Sequence, residues 1–312
     1  MRAKTVPSFT DTWRSWRRRF KAALPYVRRR EFRVLQRNFA QLIEALDGAA
    51  SPAAHAQVHV ILPLQQALDG DVCLFVSFAL EPELKPHVAT HVRHLLDAGI
   101  RVVLVVNTDL DPGSLVVDAD LRCRLSGLLV RQNLGYDFGA WAHTLSLCTG
   151  TERWSRLFLV NDSVVGPLNA QDFMRLIARV RASTADLIGL TEALAPSRHL
   201  QSYFLVFTAA ALNHPVVARL FKSVLNWPNK SQVITVYESR LTGLLEAQGL
   251  HCEAMFPSLH GDPLSSDDTS LRWAELVRAG FPYLKTRVIA QCAHDERLKA
   301  MLAAAKSGAL PP

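Results

Sequence analysis

A regular alternation of short apolar runs with segments of helical length begins near residue 71 and restricts the fold of this chain more than any other feature. The runs are rich in Val, Leu, Ile and Phe, and they predict strands at 71–79, 101–107, 125–133, 156–161, 185–190 and 202–207. Between them, the spacing of apolar residues predicts helices at 86–98, 139–148, 169–181, 209–224 and 233–247. Strands that alternate with helices of this length form a mostly parallel sheet with helices on both faces. We therefore predict an α/β protein with a Rossmann-type sheet.

Polar clusters follow three of the predicted strands. Asp109 comes after the second strand, residues 133–137 come after the third, and residues 161–163 come after the fourth. In open α/β sheets, ligands bind beyond the carboxyl ends of the strands, so we expect these clusters at one crevice. Amides and carboxylates can hold sugar hydroxyls, and a carboxylate can hold a divalent cation that neutralises a diphosphate. The pattern indicates a site for a sugar that carries a diphosphate.

Three common nucleotide-binding and hydrolase motifs are absent from the sequence. It has neither the GxGxxG loop of dinucleotide-binding proteins nor the GxxxxGK[ST] loop of P-loop proteins. It also lacks the GxSxG elbow of many hydrolases. We therefore do not expect these three classes of function.

Glu238 is a candidate general base. It lies in the segment VITVYESRLTGLLEAQG, where Leu241 and Leu245 can form a buried stripe that leaves Glu238 on another face. Because glutamate is ionised near neutral pH, a carboxylate at this position can deprotonate an acceptor hydroxyl. A solvated or helix-capping glutamate is the alternative on spacing alone.

Basic charge is concentrated at the N-terminus. Residues 1–40 hold twelve Lys or Arg and two acidic residues, whereas the whole chain has a net charge of +7. Trp13, Trp16 and Phe20 follow a helical spacing, which makes this segment a basic helix with an aromatic face. We predict that residues 1–65 form a basic helical extension and that its first 40 residues bind an anionic membrane surface. A solvated helical cap and a nucleic-acid-binding arm are the alternatives, but we do not expect nucleic acid as a partner.

The sequence predicts no membrane-spanning segment. No run approaches the roughly 18–20 apolar residues that a span requires, and no apolar stretch of a secretory signal follows the N-terminal arginines. We therefore expect a cytoplasmic protein that is peripherally associated with the inner face of the cell membrane.

Six motifs, in this order along the chain, resemble those of one protein family. They read NLGYDFGAW, LFLVNDSVVGPL, GLTEA, HLQSYFLVF, VITVYESRLTGLLEAQG and DDTSLRWAELVRAGFPYLK. With the strands before them they cover about residues 70–290, and they are similar to the rhamnan synthesis protein F family of glycosyltransferases, which is related to the inverting glycosyltransferase family 2. The resemblance implies a GT-A-like fold and a nucleotide-sugar donor, which is dTDP-L-rhamnose in typical members. It also implies a lipid-linked glycan acceptor and a role in surface polysaccharide or lipopolysaccharide assembly.

The resemblance also assigns roles to individual residues. It implies that the donor is bound by Asp109, Asn133, Gly135, Tyr136, Asp137, Asn161 and Asp162. It implies that the acceptor is bordered by His199, Gln201 and Tyr203. Glu238 would activate the acceptor hydroxyl, and Asp162 would be the ligand of a divalent cation such as Mg²⁺ or Mn²⁺.

The metal assignment departs from the pattern of the wider GT-A group at one position. The aspartate triplet of that group reads Asn161-Asp162-Ser163 here, and a serine hydroxyl is a weaker cation ligand than a carboxylate. Asp162 alone can then hold the cation, or Lys and Arg side chains can balance the diphosphate in its place. Lys230 and Arg240 are the candidates for that second role.

We therefore expect a GT-A-like domain over residues 66–295 that is followed by a helical tail over 296–312. Its predicted reaction transfers a sugar from a nucleotide-sugar donor to a growing surface glycan, with inversion at the anomeric carbon. The alternative is a degenerate domain that binds glycan, or organises a polysaccharide-assembly complex, without catalysis. The Asn-Asp-Ser triplet favours that alternative.

Overall fold

The computed structural model describes residues 52–302 apart from 67, 196, 259–266, 292–293, 297 and 301. Residues 1–51 of the predicted basic extension, and most of the predicted tail over 296–312, lie outside the described residues. The membrane-binding arm and the helical tail therefore stay predictions.

The described residues form a mixed sheet and several short accessory strands. The main strands are β1 (Val58–Leu62), β2 (Gly70–Phe78), β3 (Arg101–Thr108), β4 (Gly127–Gln132), β5 (Trp154–Asn161), β7 (Leu187–Ala193), β9 (Phe204–Thr208) and β10 (Cys252–Phe256). Their order across the sheet is β1-β4-β3-β2-β5-β9-β7-β10. The accessory strands are β6 (Val164–Val165), β8 (His199–Leu200) and β11 (Leu284–Lys285). β6 pairs with β11, and β8 pairs with β7.

Parallel pairing dominates the centre of the sheet. Strands β4, β3, β2 and β5 run parallel to one another, and β10 runs parallel to β7. β1 is antiparallel to β4, and β9 is antiparallel to both β5 and β7. The predicted α/β class with a mostly parallel sheet is confirmed. The sequence analysis did not predict β1 or β10, and β1 lies within the stretch that it assigned to the extension.

The helices lie between the strands along the chain, as predicted. They are α1 (Pro86–Asp97), α2 (Ala119–Arg124), α3 (Tyr136–Leu147), α4 (Ala170–Ala182), α5 (Ala209–Leu212), α6 (Pro215–Lys222), α7 (Lys230–Val233), α8 (Ser239–Glu246), α9 (Asp268–Leu271), α10 (Trp273–Arg278) and α11 (Thr286–Gln291). The single helix predicted over 209–224 is two helices, because Pro215 begins α6 and a proline fits the first turn of a helix better than its interior.

Each face of the sheet is covered by its own hydrophobic core. One core joins the sheet to α1 and α4, and the other joins it to α3, α6 and α8. Trp141 is fully buried in α3, and its Nε1 donates to the Leu74 carbonyl at 3.1 Å. Burial of both faces explains why the central strands read as continuous apolar runs.

A buried carboxylate holds the start of β2 against two neighbouring elements. Asp71 is 7% exposed, and its two oxygens accept from Arg156 of β5 at 3.1 Å and from Arg181 of α4 at 2.8 Å. Removing the carboxylate would leave two partly buried guanidinium groups without their ion-pair partner. The loss of one partner of a buried ion pair lowers the free energy of unfolding strongly.

We expect Asp71→Ala to lower the free energy of unfolding by about 2–4 kcal/mol in urea denaturation. The matched control is Asp69→Ala, because Asp69 pairs with Arg101 at the surface, where both side chains are about half exposed or more. That control should cost less than about 1 kcal/mol. Equal losses in the two variants would contradict this assignment.

Candidate functional site

Two neighbouring cavities lie at the carboxyl ends of the parallel strands. The larger, about 530 Å³, contains Asp162 in its wall and is called the Asp162 cavity; Phe78, Lys85 and Tyr136 also line it. The smaller, about 210 Å³, contains Glu238 and is called the Glu238 cavity. Residues that line both cavities are Asp137, Asn161, Ser163, Lys230 and Thr286. The larger volume falls in the range of small-molecule sites.

Asp162 connects the ends of two strands. It follows the last residue of β5, and its Oδ2 accepts from the Ser77 hydroxyl at 2.9 Å, the Phe78 backbone N–H at 3.0 Å and the Lys85 ammonium at 2.8 Å. The side chain is 18% exposed, whereas that of Lys85 is 39% exposed. The carboxylate therefore fixes the loop after β2 and places a cation in the cavity wall.

Asp137 and Asn161 form the wall between the cavities. Asp137 lies in the first turn of α3, and its oxygens accept from the Phe138 N–H at 3.0 Å and from Asn161 Nδ2 at 2.8 Å. Asn161 Oδ1 in turn accepts from the backbone N–H and the hydroxyl of Ser163. Burial, with a smaller contribution from Glu238, raises the pKa of the Asp137 carboxyl to about 6. Asp137 is thus a weaker acid than an ordinary aspartate.

The loop that leads into α3 has an unusual backbone. Gly135 has a φ of 73°, and Tyr136 also has a positive φ, 55°. A Cβ on Gly135 would come within 2.6 Å of the Asn226 side chain, so the loop requires glycine there. The buried guanidinium of Arg131 holds this loop by donating to the carbonyls of Gln132 and Leu134. A non-glycine residue at positive φ is uncommon and tends to occur at functional sites.

Glu238 lies in a π-helical turn, Ile234–Glu238, that precedes α8. Its Oε2 accepts from the backbone N–H of Ser202 at 3.0 Å and from the Ser202 hydroxyl. His199 lies next to this carboxylate. Its Nδ1 is 2.8 Å from the Ser197 carbonyl oxygen, and its Nε2 is 3.9 Å from Glu238 Oε1. Ser202 therefore holds one carboxylate oxygen in place, and the Glu238 side chain lines the Glu238 cavity. Widened helical turns of this kind are frequent at functional sites.

A polar network and a lysine complete the wall of the Glu238 cavity. The Thr191 hydroxyl contacts the Tyr203 hydroxyl at 2.7 Å and donates to Gln201 Oε1 at 2.6 Å. The Lys285 ammonium lies 3.7 Å from the centre of the Tyr203 ring, a cation–π contact. Burial lowers the pKa of Lys285 to about 7, although Glu238 acts in the opposite direction. Lys285 is therefore a weaker base than an ordinary lysine.

The structure brings most of the predicted site residues together. Asn133, Tyr136, Asp137, Asn161 and Asp162 line the Asp162 cavity, whereas Asp137, Asn161, Gln201, Tyr203 and Glu238 line the Glu238 cavity. Gly135 and His199 are buried, and neither lines one of these two cavities. Of the two proposed cationic residues, Lys230 lines both cavities, but Arg240 is exposed and lines neither.

Asp109 lies elsewhere. It lines a separate cavity of about 220 Å³ beside β1, together with His59 and Gln132. Lys85, Ser202 and Lys285 were missed by the sequence analysis. Lys85 follows the first predicted strand. The expectation that ligands bind beyond the carboxyl ends of the strands, which indicated the polar clusters after the other strands, applies to it as well.

One oxygen of Asp162 is already occupied by donors of the protein itself. Its Oδ2 already accepts three hydrogen bonds, and the donor at 2.8 Å is itself a cation, Lys85. Asn161 Oδ1 is occupied by Ser163. Within the described ranges, no group of three or more His, Cys, Asp or Glu side chains is arranged to hold a metal ion. A divalent cation at this position would therefore depend on the other Asp162 oxygen and on oxygens of the bound ligand.

Comparison with known proteins identifies the family. A family model described as rhamnan synthesis protein F matches residues 102–307, about two thirds of the chain. The chain belongs to the rhamnan synthesis protein F family. The matched range contains Asp137, Asp162 and Glu238, and the family's description connects its members with rhamnan synthesis. The family resemblance stated from the motifs is confirmed.

Two curated relatives agree with this membership. The chain is 26% identical to the virulence protein VirA of Vibrio anguillarum over 207 residues, which cover 56% of this chain and 66% of VirA. It is 30% identical to the protein y4gN of Sinorhizobium fredii over 172 residues, which cover 52% of this chain and 43% of y4gN. The match thus spans under two thirds of each relative. None of the helices in the described ranges is long and apolar enough to cross a membrane.

We expect Lys285→Met to raise the free energy of unfolding by about 1–3 kcal/mol near pH 6. Below about pH 7 the Lys285 amine is charged in both states, so folding bears the full cost of burying the charge. Between about pH 7 and the unfolded pKa of about 10.5, the folded state binds fewer protons, so the wild-type protein gains stability as pH rises. The advantage of the variant should shrink over that range.

Urea denaturation of the wild-type protein and the variant at about pH 6 and about pH 9 measures this effect. Lys222→Met is the matched control, because Lys222 is an exposed lysine in the last turn of α6. The control should have the same small effect at both pH values. A pH-independent effect of Lys285→Met would contradict the assigned pKa.

Proposed function

We propose that this protein is a glycosyltransferase of GT-A architecture that transfers a sugar from a nucleotide-sugar donor to a glycan acceptor with inversion. The observation that carries the proposal is the position of Glu238. Its carboxylate is held by Ser202 and lines the Glu238 cavity, which shares a wall with the larger Asp162 cavity. Two substrates must meet at one bond for sugar transfer, and two cavities with a shared wall suit that requirement. The family supports the same class of reaction.

The proposed reaction is a single displacement. The acceptor hydroxyl gives its proton to Glu238, and its oxygen forms a bond to the anomeric carbon of the donor sugar. The bond between that carbon and the phosphate oxygen breaks on the opposite side, and the nucleoside diphosphate leaves with the electron pair. The base must lie within hydrogen-bond reach of the hydroxyl, and Glu238 Oε1 is the oxygen that Ser202 does not hold.

We assign the nucleoside diphosphate to the Asp162 cavity and the acceptor sugar to the Glu238 cavity. The volume of about 530 Å³ favours the larger ligand in the first, and the Gln201 side chain offers hydrogen-bonding groups to a sugar in the second. The family's description makes dTDP-L-rhamnose the first donor to test and a lipid-linked surface glycan the first acceptor class. Asp109 is a candidate for the nucleoside end only if the ligand reaches the separate cavity beside β1.

A non-catalytic glycan-binding or scaffolding role is the second candidate. The observation that favours it is the Lys85–Asp162 ion pair, which occupies the carboxylate that the GT-A group uses for its cation. This role needs no base, so Glu238 would then matter only for binding. Turnover measurements separate the two candidates.

We expect Glu238→Gln to lower kcat for sugar transfer by about 10²–10⁴-fold while donor binding stays within about threefold. The amide keeps the size of the side chain and can still accept from Ser202, but it cannot take the acceptor proton. Transfer is measured with a panel of nucleotide sugars that includes dTDP-L-rhamnose, and binding is measured by calorimetry.

Glu246→Gln is the matched control, because Glu246 lies on the same helical segment, is about half exposed and pairs with Arg198. It should keep wild-type turnover. Transfer by the wild-type protein that survives in Glu238→Gln would reject Glu238 as the base. If the wild-type protein binds donor and glycan without turnover, the scaffolding role holds instead.

We also propose that residues 1–40 attach the enzyme to an anionic membrane surface, where a lipid-linked acceptor is found. Twelve basic residues against two acidic ones support this, because each Lys or Arg near an anionic leaflet contributes about 1 kcal/mol before screening by salt. The full chain should sediment with vesicles that contain an anionic phospholipid and stay in solution with zwitterionic ones.

Deleting residues 1–40 should abolish vesicle binding, and high salt should weaken it. Binding that survives the deletion would show that the arm is not the membrane contact. Retention of the arm on DNA or RNA, with no vesicle binding, would favour the nucleic-acid alternative.

A further inference from the structure

Lys85 is a cation that the fold places in the wall of the Asp162 cavity. It lies in the loop between β2 and α1, directly before Pro86, the first residue of α1. Its ammonium is 2.8 Å from Asp162 Oδ2 and 5.9 Å from the centre of the Phe78 ring. Two elements therefore fix this lysine, and its side chain is still 39% exposed.

The Lys85 ammonium keeps donors for a ligand. An ammonium group has three N–H donors, and the hydrogen bond to Asp162 uses one. His87, which also lines the cavity, does not compete for this role, because burial lowers the pKa of its ring and leaves it neutral near pH 7. Lys85 is thus the fixed positive charge on this side of the cavity.

Lys230 supplies a second cation at the shared wall. It is the first residue of α7, and it lines both cavities. In the part of the chain that the structure describes, no ion pair is formed by Lys230, so its charge is open to a ligand. A diphosphate at the junction of the two cavities would meet Lys85 on one side and Lys230 on the other.

We propose, on the basis of the proposed function, that Lys85 and Lys230 bind the diphosphate of the donor directly, and that Asp162 positions Lys85 instead of a divalent cation. In this arrangement Asp162 is a positioning residue. Lysine ammonium groups are common phosphate ligands, and they act as point charges.

Electrostatics explains why a lysine and a divalent cation would exclude each other here. A cation bound to Asp162 would lie within a few ångströms of the Lys85 ammonium, and like charges at such distances repel strongly in a partly buried site. Asp162 Oδ2 already accepts three hydrogen bonds, so a metal that leaves them intact has only the other carboxylate oxygen to bind, on the same carboxylate as the Lys85 ammonium. The lysine already supplies the charge that a leaving diphosphate needs.

The proposal is tested with inorganic pyrophosphate and with three nucleoside diphosphates, dTDP, UDP and GDP, as probes of the full chain. Calorimetric titrations are run in excess EDTA and again with Mg²⁺ or Mn²⁺. We expect at least one diphosphate to bind in EDTA, with an affinity within about threefold of that measured with metal. Turnover in EDTA should persist as well.

Variants separate the lysine from the carboxylate. Lys85→Met should weaken diphosphate binding by about ten- to a hundredfold and leave binding of the matching nucleoside unchanged. Lys85→Arg should recover most of the affinity, because it restores the charge. Lys222→Met, at an exposed lysine on α6, is the matched control and should bind like the wild-type protein.

Asp162→Asn distinguishes a positioning residue from a metal ligand. If Asp162 positions Lys85, the variant weakens diphosphate binding by about three- to tenfold, and no concentration of Mn²⁺ restores it. If Asp162 is a metal ligand, wild-type binding disappears in EDTA, and added Mn²⁺ rescues the variant.

Diphosphate binding that requires a divalent cation overturns the proposal and leaves the proposed glycosyltransferase function standing. Diphosphate binding in EDTA that Lys85→Met does not weaken overturns it too. Absence of binding by all the nucleoside diphosphates and by pyrophosphate, with and without metal, rejects the donor site itself and with it the proposed function.

Discussion

Three hydrogen bonds to one oxygen, Asp162 Oδ2, hold the site together. They join the end of β5 to the end of β2 through Ser77 and Phe78, and to the next loop through Lys85. Since β2 and β5 are adjacent parallel strands, their carboxyl ends already lie at one edge, and the carboxylate fixes the loops that leave that edge.

Carboxylates with different environments occupy the two cavities. Asp162 is paired with a lysine, Asp137 is partly buried with a pKa raised to about 6, and Glu238 is held at one oxygen by Ser202. Such differences allow neighbouring acids to have different tasks. Asp162 holds Lys85 at the larger cavity, Asp137 joins α3 to Asn161 at the shared wall, and Glu238 keeps one oxygen that Ser202 does not hold.

The sequence predicted most of the fold and only part of the site. Central strands such as β2 and β3 are buried on both faces, so apolar runs reveal them within one or two residues, whereas β1 (VHVIL) is half exposed at an edge and has no such run. Asp137, Asn161 and Glu238 were found because motifs contain them. Lys85 also follows a predicted strand, but the contact that positions it is with a residue 77 positions later, and the sequence does not reveal that contact. Asp109 follows a strand as expected, but β1 gives it a separate cavity.

The wall shared by the two cavities has a consequence for inhibitor design. Both cavities are lined by Asp137, Asn161, Ser163, Lys230 and Thr286, so they lie side by side. A single molecule with a diphosphate at one end and an acceptor-like sugar at the other can span them with a short tether. Once one end of such a compound is bound, binding of the other end is intramolecular. A short linker gives that second end an effective concentration in the millimolar range, so the whole compound binds more tightly than either end alone. Such two-headed compounds would gain more here than in proteins whose donor and acceptor chambers lie apart.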